Sequence, residues 1–146
     1  MYLNILRLTS SWGKANLTLM IVGVGVDLIE VSRIKRSLEN PEIGMRFRDR
    51  VYTGKEIEYC EGRGRKYESY AARFAAKEAV MKVFGVGWGS KVAWMDVEVL
   101  SMLNGKPELQ LHRKASNYAH ELKVEHFFLS LSHTKGYAIA VVTAEG

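Results

Sequence analysis

The sequence is short of cysteine, of proline and of long apolar runs. Its single cysteine, Cys60, has no partner for an intramolecular disulfide and no second thiol for a zinc site, so a reducing, cytoplasmic location is expected. There are two prolines, Pro41 and Pro107, and the first, preceded by Asn40, reads as a helix terminator. No apolar stretch approaches the roughly 20 residues of a spanning helix, so no membrane span is expected. The stretch from Met1 to Leu19 is broken by Asn4, Arg7, Ser10, Ser11, Gly13, Lys14 and Asn16, which argues against a secretory signal. Acidic residues are the scarcer charge, 16 against 21 basic, for a net charge of +5. That balance favours an acidic partner, whether nucleic acid, phosphorylated cofactor or acidic protein, and by itself selects none of them.

What the chain does have is 47% hydrophobic residues, enough for one globular domain in 146 residues. Regular patterning opens at Met20, so residues 1–19 read as an N-terminal extension, either an upstream start or an appended segment, and 20–146 as a single domain. From Ile21 to Leu28 the period is two, with Val22, Val24, Val26 and Leu28 on one face and Gly23, Gly25 and Asp27 on the other. Two glycines on one side of a strand imply that another backbone or a ligand approaches closely there, with Asp27 at the end of that open face.

Ser32 is expected to cap a short helix through Ile34 and Leu38, and a second helix is expected near Thr53 to Tyr59, before a loop at Glu61 to Gly64. A long apolar helix runs from about Ser69 to Phe84 and is stopped by Gly85, Gly87 and Gly89. Trp94 to Met102 alternates as a strand, and Asn104-Gly105 signals a hairpin into Pro107 to His112. Ala115, Tyr118, Ala119 and Leu122 mark a short helix, and Phe127 to Ser132 pairs with Tyr137 to Val142 around Thr134-Lys135-Gly136. The expected class is α+β, an antiparallel sheet packed on a long central helix.

The long helix carries the chemistry. Arg73 and Lys77 lie one turn apart, as do Glu78 and Lys82, while Phe74, Ala75, Val80, Met81 and Phe84 cover most of the rest. A helix this apolar all round is buried, so its charges need partners or tasks. Asp27 and Glu78 suit a hard cation such as magnesium, with water and phosphate oxygens completing the shell, although two acids by themselves do not specify a metal.

Gly23-Val24-Gly25-Val26-Asp27-Leu28-Ile29-Glu30, followed by Arg33-Ile34, resembles the opening motif of the holo-acyl-carrier-protein synthases, the short class of 4'-phosphopantetheinyl transferases. Arg73-Phe74-Ala75-Ala76-Lys77-Glu78-Ala79-Val80-Met81-Lys82 resembles their central motif. Asn104-Gly105-Lys106-Pro107 and Leu129-Ser130-Leu131-Ser132-His133-Thr134 resemble the two later ones. Four motifs in order, covering the chain from Met20 onward, are far more specific than any one of them.

The resemblance implies transfer of the 4'-phosphopantetheine arm of coenzyme A to a serine of apo-acyl carrier protein, with magnesium required and adenosine 3',5'-bisphosphate released. It puts the metal-binding carboxylates on Asp27 and Glu78 and the active-site lysine on Lys82. His133 corresponds to a phosphate-contacting histidine, with Thr134 in support, and Arg73 adds positive charge for the coenzyme. Asn104, Gly105, Lys106 and Pro107 correspond to a turn near the adenine end. The acceptor of the serine proton stays open between Glu78 and a metal-bound water. The family also implies a homotrimer with the cleft between subunits. A sheet face of Trp94, Val97, Val99, Phe127 and Leu129 is either its apolar centre or simply core. The basic residues Arg33, Lys35 and Arg36, which directly follow the Asp27 strand, are expected to dock the acidic carrier, with Arg46, Arg48 and Arg50 extending that surface.

The main rival is a small basic nucleic-acid-binding protein. It leaves Asp27 and Glu78 unexplained, because carboxylates repel a phosphate backbone unless a cation intervenes. A catalytically silent scaffold is disfavoured by the intact Asp27, Glu78 and Lys82. His112, His120 and His126 carry no motif and read as structural or exposed.

Overall fold

A computed structural model describes residues 19–89 and 91–146, so most of the expected extension at 1–19 lies outside the described residues. Period-two patterning produces β1 (Ile21–Glu30), which pairs antiparallel with β5 (Tyr137–Glu145), and β5 pairs antiparallel with β4 (His126–His133). The resulting three-stranded sheet has the order β1-β5-β4, with Asp27 opposite Ala140 and His133 opposite Ala138. β2 (Val97–Ser101) and β3 (Pro107–Leu111) form a separate two-stranded sheet. The single antiparallel sheet expected from sequence is therefore two.

The long helix α4 (Lys66–Phe84) is the axis of the fold and is buried continuously from Tyr70 to Lys77. The glycines of β1 explain how a strand comes so close to it. A Cβ on Gly25 would collide with the Ala79 carbonyl oxygen, and one on Gly23 would press on Val83. The expected close neighbour of the glycine face is thus the backbone of α4, and Asp27, two residues beyond Gly25, faces the same side. The helix ends where Gly85 adopts φ 66° and donates its N–H to the Lys82 carbonyl.

Local signals explain most of the other elements, with exceptions. Helix α1 (Val31–Glu39) starts one residue before Ser32, so Ser32 is no cap; its hydroxyl donates to Glu30 at 3.4 Å. Helix α2 (Gly44–Val51) was not expected, because its basic run Arg46, Arg48 and Arg50 hides a weak amphipathic pattern in which Phe47 and Val51 turn inward. Helix α3 (Gly54–Glu61) is announced by Thr53 and Glu56, which form a reciprocal capping box. Trp94–Asp96 is a 3-10 turn, so the strand expected from Trp94 begins only at Val97. The β2–β3 loop closes through the Gly105 N–H and the Met102 carbonyl, with Gly105 at φ 80°, before α5 (Arg113–Glu121) returns the chain to β4.

Two faces of the main sheet differ sharply. Ala138, Ala140 and Val142 are buried under α4, whereas Val22, Val24, Val26 and Leu28 of β1, Phe128 of β4 and Ile139 and Val141 of β5 are exposed; Val24 is 59% and Leu28 62% accessible. Val97 and Val99 are buried, and Trp94, Phe127 and Leu129 pack against the core, so the face offered as a trimer centre or core is core.

Candidate active site

The strand β1 and the helix α4 bring together two of the expected residues, Asp27 and Lys82, with Glu78 one turn before Lys82 on α4. Lys82 donates from Nζ to Asp27 Oδ1 at 2.9 Å and to the Val26 carbonyl at 2.7 Å. Lys82 is thus paired across the β1–α4 seam, not with Glu78 one turn earlier as i,i+4 spacing suggests. Glu78 accepts at Oε1 from the Trp88 indole N–H at 3.0 Å, and its Oε2 has no hydrogen-bond partner among the described residues. Asp27, whose side chain is 17% exposed, and Glu78, which keeps an open oxygen one helical turn from Lys82, are a donor set suited to a hard divalent cation and a phosphate chain. Among the described residues no group of three or more metal-ligating side chains exists, so a cation here would take most of its shell from water and substrate oxygens.

Arg73 and His133 belong to a second group. Arg73 is only 3% exposed, and its Nη2 donates to Ser101 at 3.0 Å while its plane lies 3.8 Å over the Tyr59 ring. It pairs with no carboxylate among the described residues, and its buried Nε has no partner. A buried guanidinium in that condition is prepared for an anion. It lines a cleft of about 190 Å³ together with Tyr59, Ser101, Gly105, Pro107 and His133. Burial raises the Tyr59 phenol, but the Ser101 bond and the charges of Arg73 and Arg63 outweigh it and hold Tyr59 below its ordinary value. The cleft is therefore electropositive.

The two groups do not merge within one chain. Arg73 lies nine residues before Lys82 on α4, roughly 13 Å along the axis, and His133 is separated from β1 by β5. Asn104 Oδ1 accepts from the Lys106 N–H at 3.0 Å, so Asn104 and Lys106 shape the hairpin turn and only Gly105 and Pro107 reach the cleft. Thr134 Oγ1 accepts from the N–H groups of Gly136 and Tyr137 and shapes the β4–β5 turn. Arg33, Lys35 and Arg36 are exposed on α1.

Sequence reasoning passed over Tyr59, Ser101 and Trp88, for which spacing gave no signal. It also paired Lys77 with Arg73 by helical position. Lys77 is instead fully buried, bonded to Glu56 at 2.8 Å and to the carbonyls of Val51 at 2.6 Å and Trp94 at 3.1 Å. Its neighbour Glu78 on the chain instead meets the Trp88 indole. Of the unassigned histidines, His112 contacts Glu98 at 3.0 Å and is structural.

A family profile described as the 4'-phosphopantetheinyl transferase superfamily matches residues 23–142. A holo-acyl-carrier-protein synthase of Solibacter usitatus is 51% identical over 126 residues, 86% of this chain and 99% of the relative. The crystal structure of the Neisseria meningitidis holo-acyl-carrier-protein synthase superposes with a TM-score of 0.78 at 31% identity, covering 87% of this chain and all of that one, 100%. The Bacillus anthracis enzyme, solved in complex with CoA (3',5'-ADP), gives a TM-score of 0.71 at 36% identity over 87% of this chain and 98% of its own. With a family profile over most of its length and relatives of this identity and coverage, the chain belongs to the 4'-phosphopantetheinyl transferase superfamily, among the holo-acyl-carrier-protein synthases.

Proposed function

We propose that the β1–α4 seam is the centre at which this chain moves 4'-phosphopantetheine from coenzyme A to a serine of apo-acyl carrier protein, with Asp27 and Glu78 holding Mg2+ and Lys82 at the diphosphate. The observation that carries this reading is the Lys82–Asp27 contact at 2.9 Å, with Glu78 one turn away on the same helix. When bound, the ion supplies charge neutralisation at a diphosphate that otherwise repels an incoming oxygen. Lys82, half-exposed and held by the Val26 carbonyl, turns its ammonium to the leaving bisphosphate as charge accumulates there. The proton released by the serine hydroxyl goes to Glu78 or to a bound water.

The unpaired Arg73 and His133 line the site for a coenzyme phosphate, with Gly105 and Pro107 forming the wall toward the adenine. Because this cleft and the Lys82 seam lie apart on one chain, the coenzyme lies between subunits. The exposed apolar face of β1, β4 and β5 supports a homotrimer, since a patch of that extent on a monomer would face water. Arg33, Lys35 and Arg36 on α1, next to the seam, receive the acidic carrier. The buried free thiol of Cys60, pushed up to about 12 by burial, is consistent with a cytoplasmic enzyme, and no helix among the described residues is long and apolar enough to cross a membrane.

The test is incubation with coenzyme A, Mg2+ and apo-acyl carrier protein, followed by intact-protein mass spectrometry of the carrier. A carrier gaining the phosphopantetheine mass only when Mg2+ is present is expected. Equal modification in the presence of a chelator would remove the ion from the reading.

A further inference from the structure

The loop after α4 places a tryptophan against a carboxylate that the reaction reading assigns to the metal. We propose that Trp88 is a positioning residue for Glu78, holding one carboxylate oxygen so that the other is presented to the divalent cation; this rests on the metal reading above. The Trp88 indole N–H donates to Glu78 Oε1 at 3.0 Å. An indole nitrogen is a donor only, so Trp88 cannot ligate a cation itself. What it can do is remove the rotational freedom of a carboxylate that must otherwise be ordered when the ion binds.

Trp88 is itself braced. Its ring stacks on Trp94 at 3.7 Å and 19°, and Trp94 stacks on Phe74 at 4.9 Å and 30°. Phe74 lies one turn before Glu78 on α4, so the stack returns to the helix that carries the carboxylate. The backbone cooperates: Gly85 at φ 66° and Gly89 at φ 133° bracket Trp88, and the Gly89 N–H donates to the Val92 carbonyl at 3.0 Å. A side chain at either position would be strained, so the loop conformation that aims the indole depends on both glycines. Apolar packing alone accounts for the stack but not for an indole N–H directed at an otherwise unpaired carboxylate.

The test uses the full-length chain and Mg2+ alone as the probe. Trp88→Phe keeps an aromatic ring on Trp94 and deletes the N–H, and calorimetric titration with MgCl2 is expected to show binding weakened by about 10-fold, within the range for loss of a ligand's supporting contact. The metal-free Tm of Trp88→Phe should match the wild type, and its turnover should recover in excess Mg2+. Wild-type Mg2+ affinity in Trp88→Phe overturns the proposal, as does weakened affinity that merely follows a lowered metal-free Tm. Glu78→Gln separates this from the metal reading: if that variant binds Mg2+ as the wild type does, the metal assignment fails, whereas loss in Glu78→Gln with none in Trp88→Phe sinks the role of Trp88 alone. Should Trp88→Phe not fold, the wild-type indole N–H resonance decides, assigned with Trp12→Phe and Trp94→Phe. It should move with Mg2+ along the calorimetric isotherm, and a stationary Trp88 signal overturns the proposal.

Discussion

Lys82 on α4 and Asp27 on β1, 55 positions apart in sequence, meet at 2.9 Å across the seam where two glycines let strand and helix backbones touch. The contact joins an ammonium and a carboxylate, with Glu78 one turn before Lys82 on α4. Both partners are partly open to solvent, so the pair contributes little to stability, about 0–1 kcal/mol. Kinetics, not folding, should therefore report its loss. Asp27→Ala and Glu78→Ala are each expected to lower turnover by at least about 100-fold, with circular dichroism and Tm preserved. Lys82→Ala should lower kcat more than it raises KM for coenzyme A, because its contribution grows as the leaving group gains charge. A Lys82→Ala effect confined to KM would assign it to binding alone.

The buried pair Glu56–Lys77 should behave in the opposite way. Both side chains are fully enclosed, and Glu56 also accepts the N–H groups of Thr53 at 2.8 Å and Val99 at 3.0 Å. Burial lowers the Lys77 pKa, with Glu56 opposing that shift by direct attraction and hydrogen bonding. Glu56→Ala or Lys77→Ala leaves an uncompensated buried charge and should cost about 3–5 kcal/mol in urea unfolding. Single-variant losses below 1 kcal/mol would mean that water reaches the pair.

Glu98 gives the fold a pH dependence. Burial raises its pKa, but the Thr53 hydroxyl at 2.6 Å and His112 at 3.0 Å outweigh burial and hold it below the usual carboxylate range. A depressed folded pKa contributes stability that is present above the unfolded value and is lost as pH falls through the folded one. The stability gap between wild type and Glu98→Gln should therefore narrow as urea unfolding is repeated from pH 6 down to about pH 3. A gap independent of pH would show that Glu98 contributes as a hydrogen-bonding shape only.

Charge on α1 should control the carrier and not the coenzyme. Arg33, Lys35 and Arg36 are exposed, hence screened by salt, whereas Arg73 is buried. Rising ionic strength should raise KM for the carrier much more than KM for coenzyme A, and Arg33→Glu with Arg36→Glu should mimic high salt. Equal salt sensitivity for both substrates would return these residues to an ordinary solvated face.

The exposed apolar sheet face should govern assembly. Val24→Glu or Val141→Glu places a charge on this exposed, mostly apolar face, and if the proposed trimer forms there, light scattering should report monomers in its place, with activity lost together with the shared cleft. Trimers unaffected by both substitutions would move the interface elsewhere.

Much of this was legible along the chain. The period-two strand with glycines on one side, the apolar charged helix and its glycine stop, the helix near Thr53 and the two hairpins all leave a pattern of residue types within a few positions, which spacing encodes directly. α2 was lost because a helix with only Phe47 and Val51 turned inward leaves a faint pattern under its arginines. The 3-10 turn at Trp94 was lost because alternation looks alike in a strand and in the residues leading into one.

The sequence by itself determined the fold class, the four motifs and the identity of the charged residues that crowd α4, since these follow from residue type and periodicity. Only the tertiary structure decided the partners. Helical spacing places Glu78 beside Lys82 and Arg73 beside Lys77, yet Lys82 reaches Asp27, Lys77 reaches Glu56, Glu78 takes the Trp88 indole and Arg73 is left without an anion. A charge on a buried helix pairs with whatever group the packing of other elements brings within about 3 Å, and that distance is set by contacts many residues away that no local pattern contains.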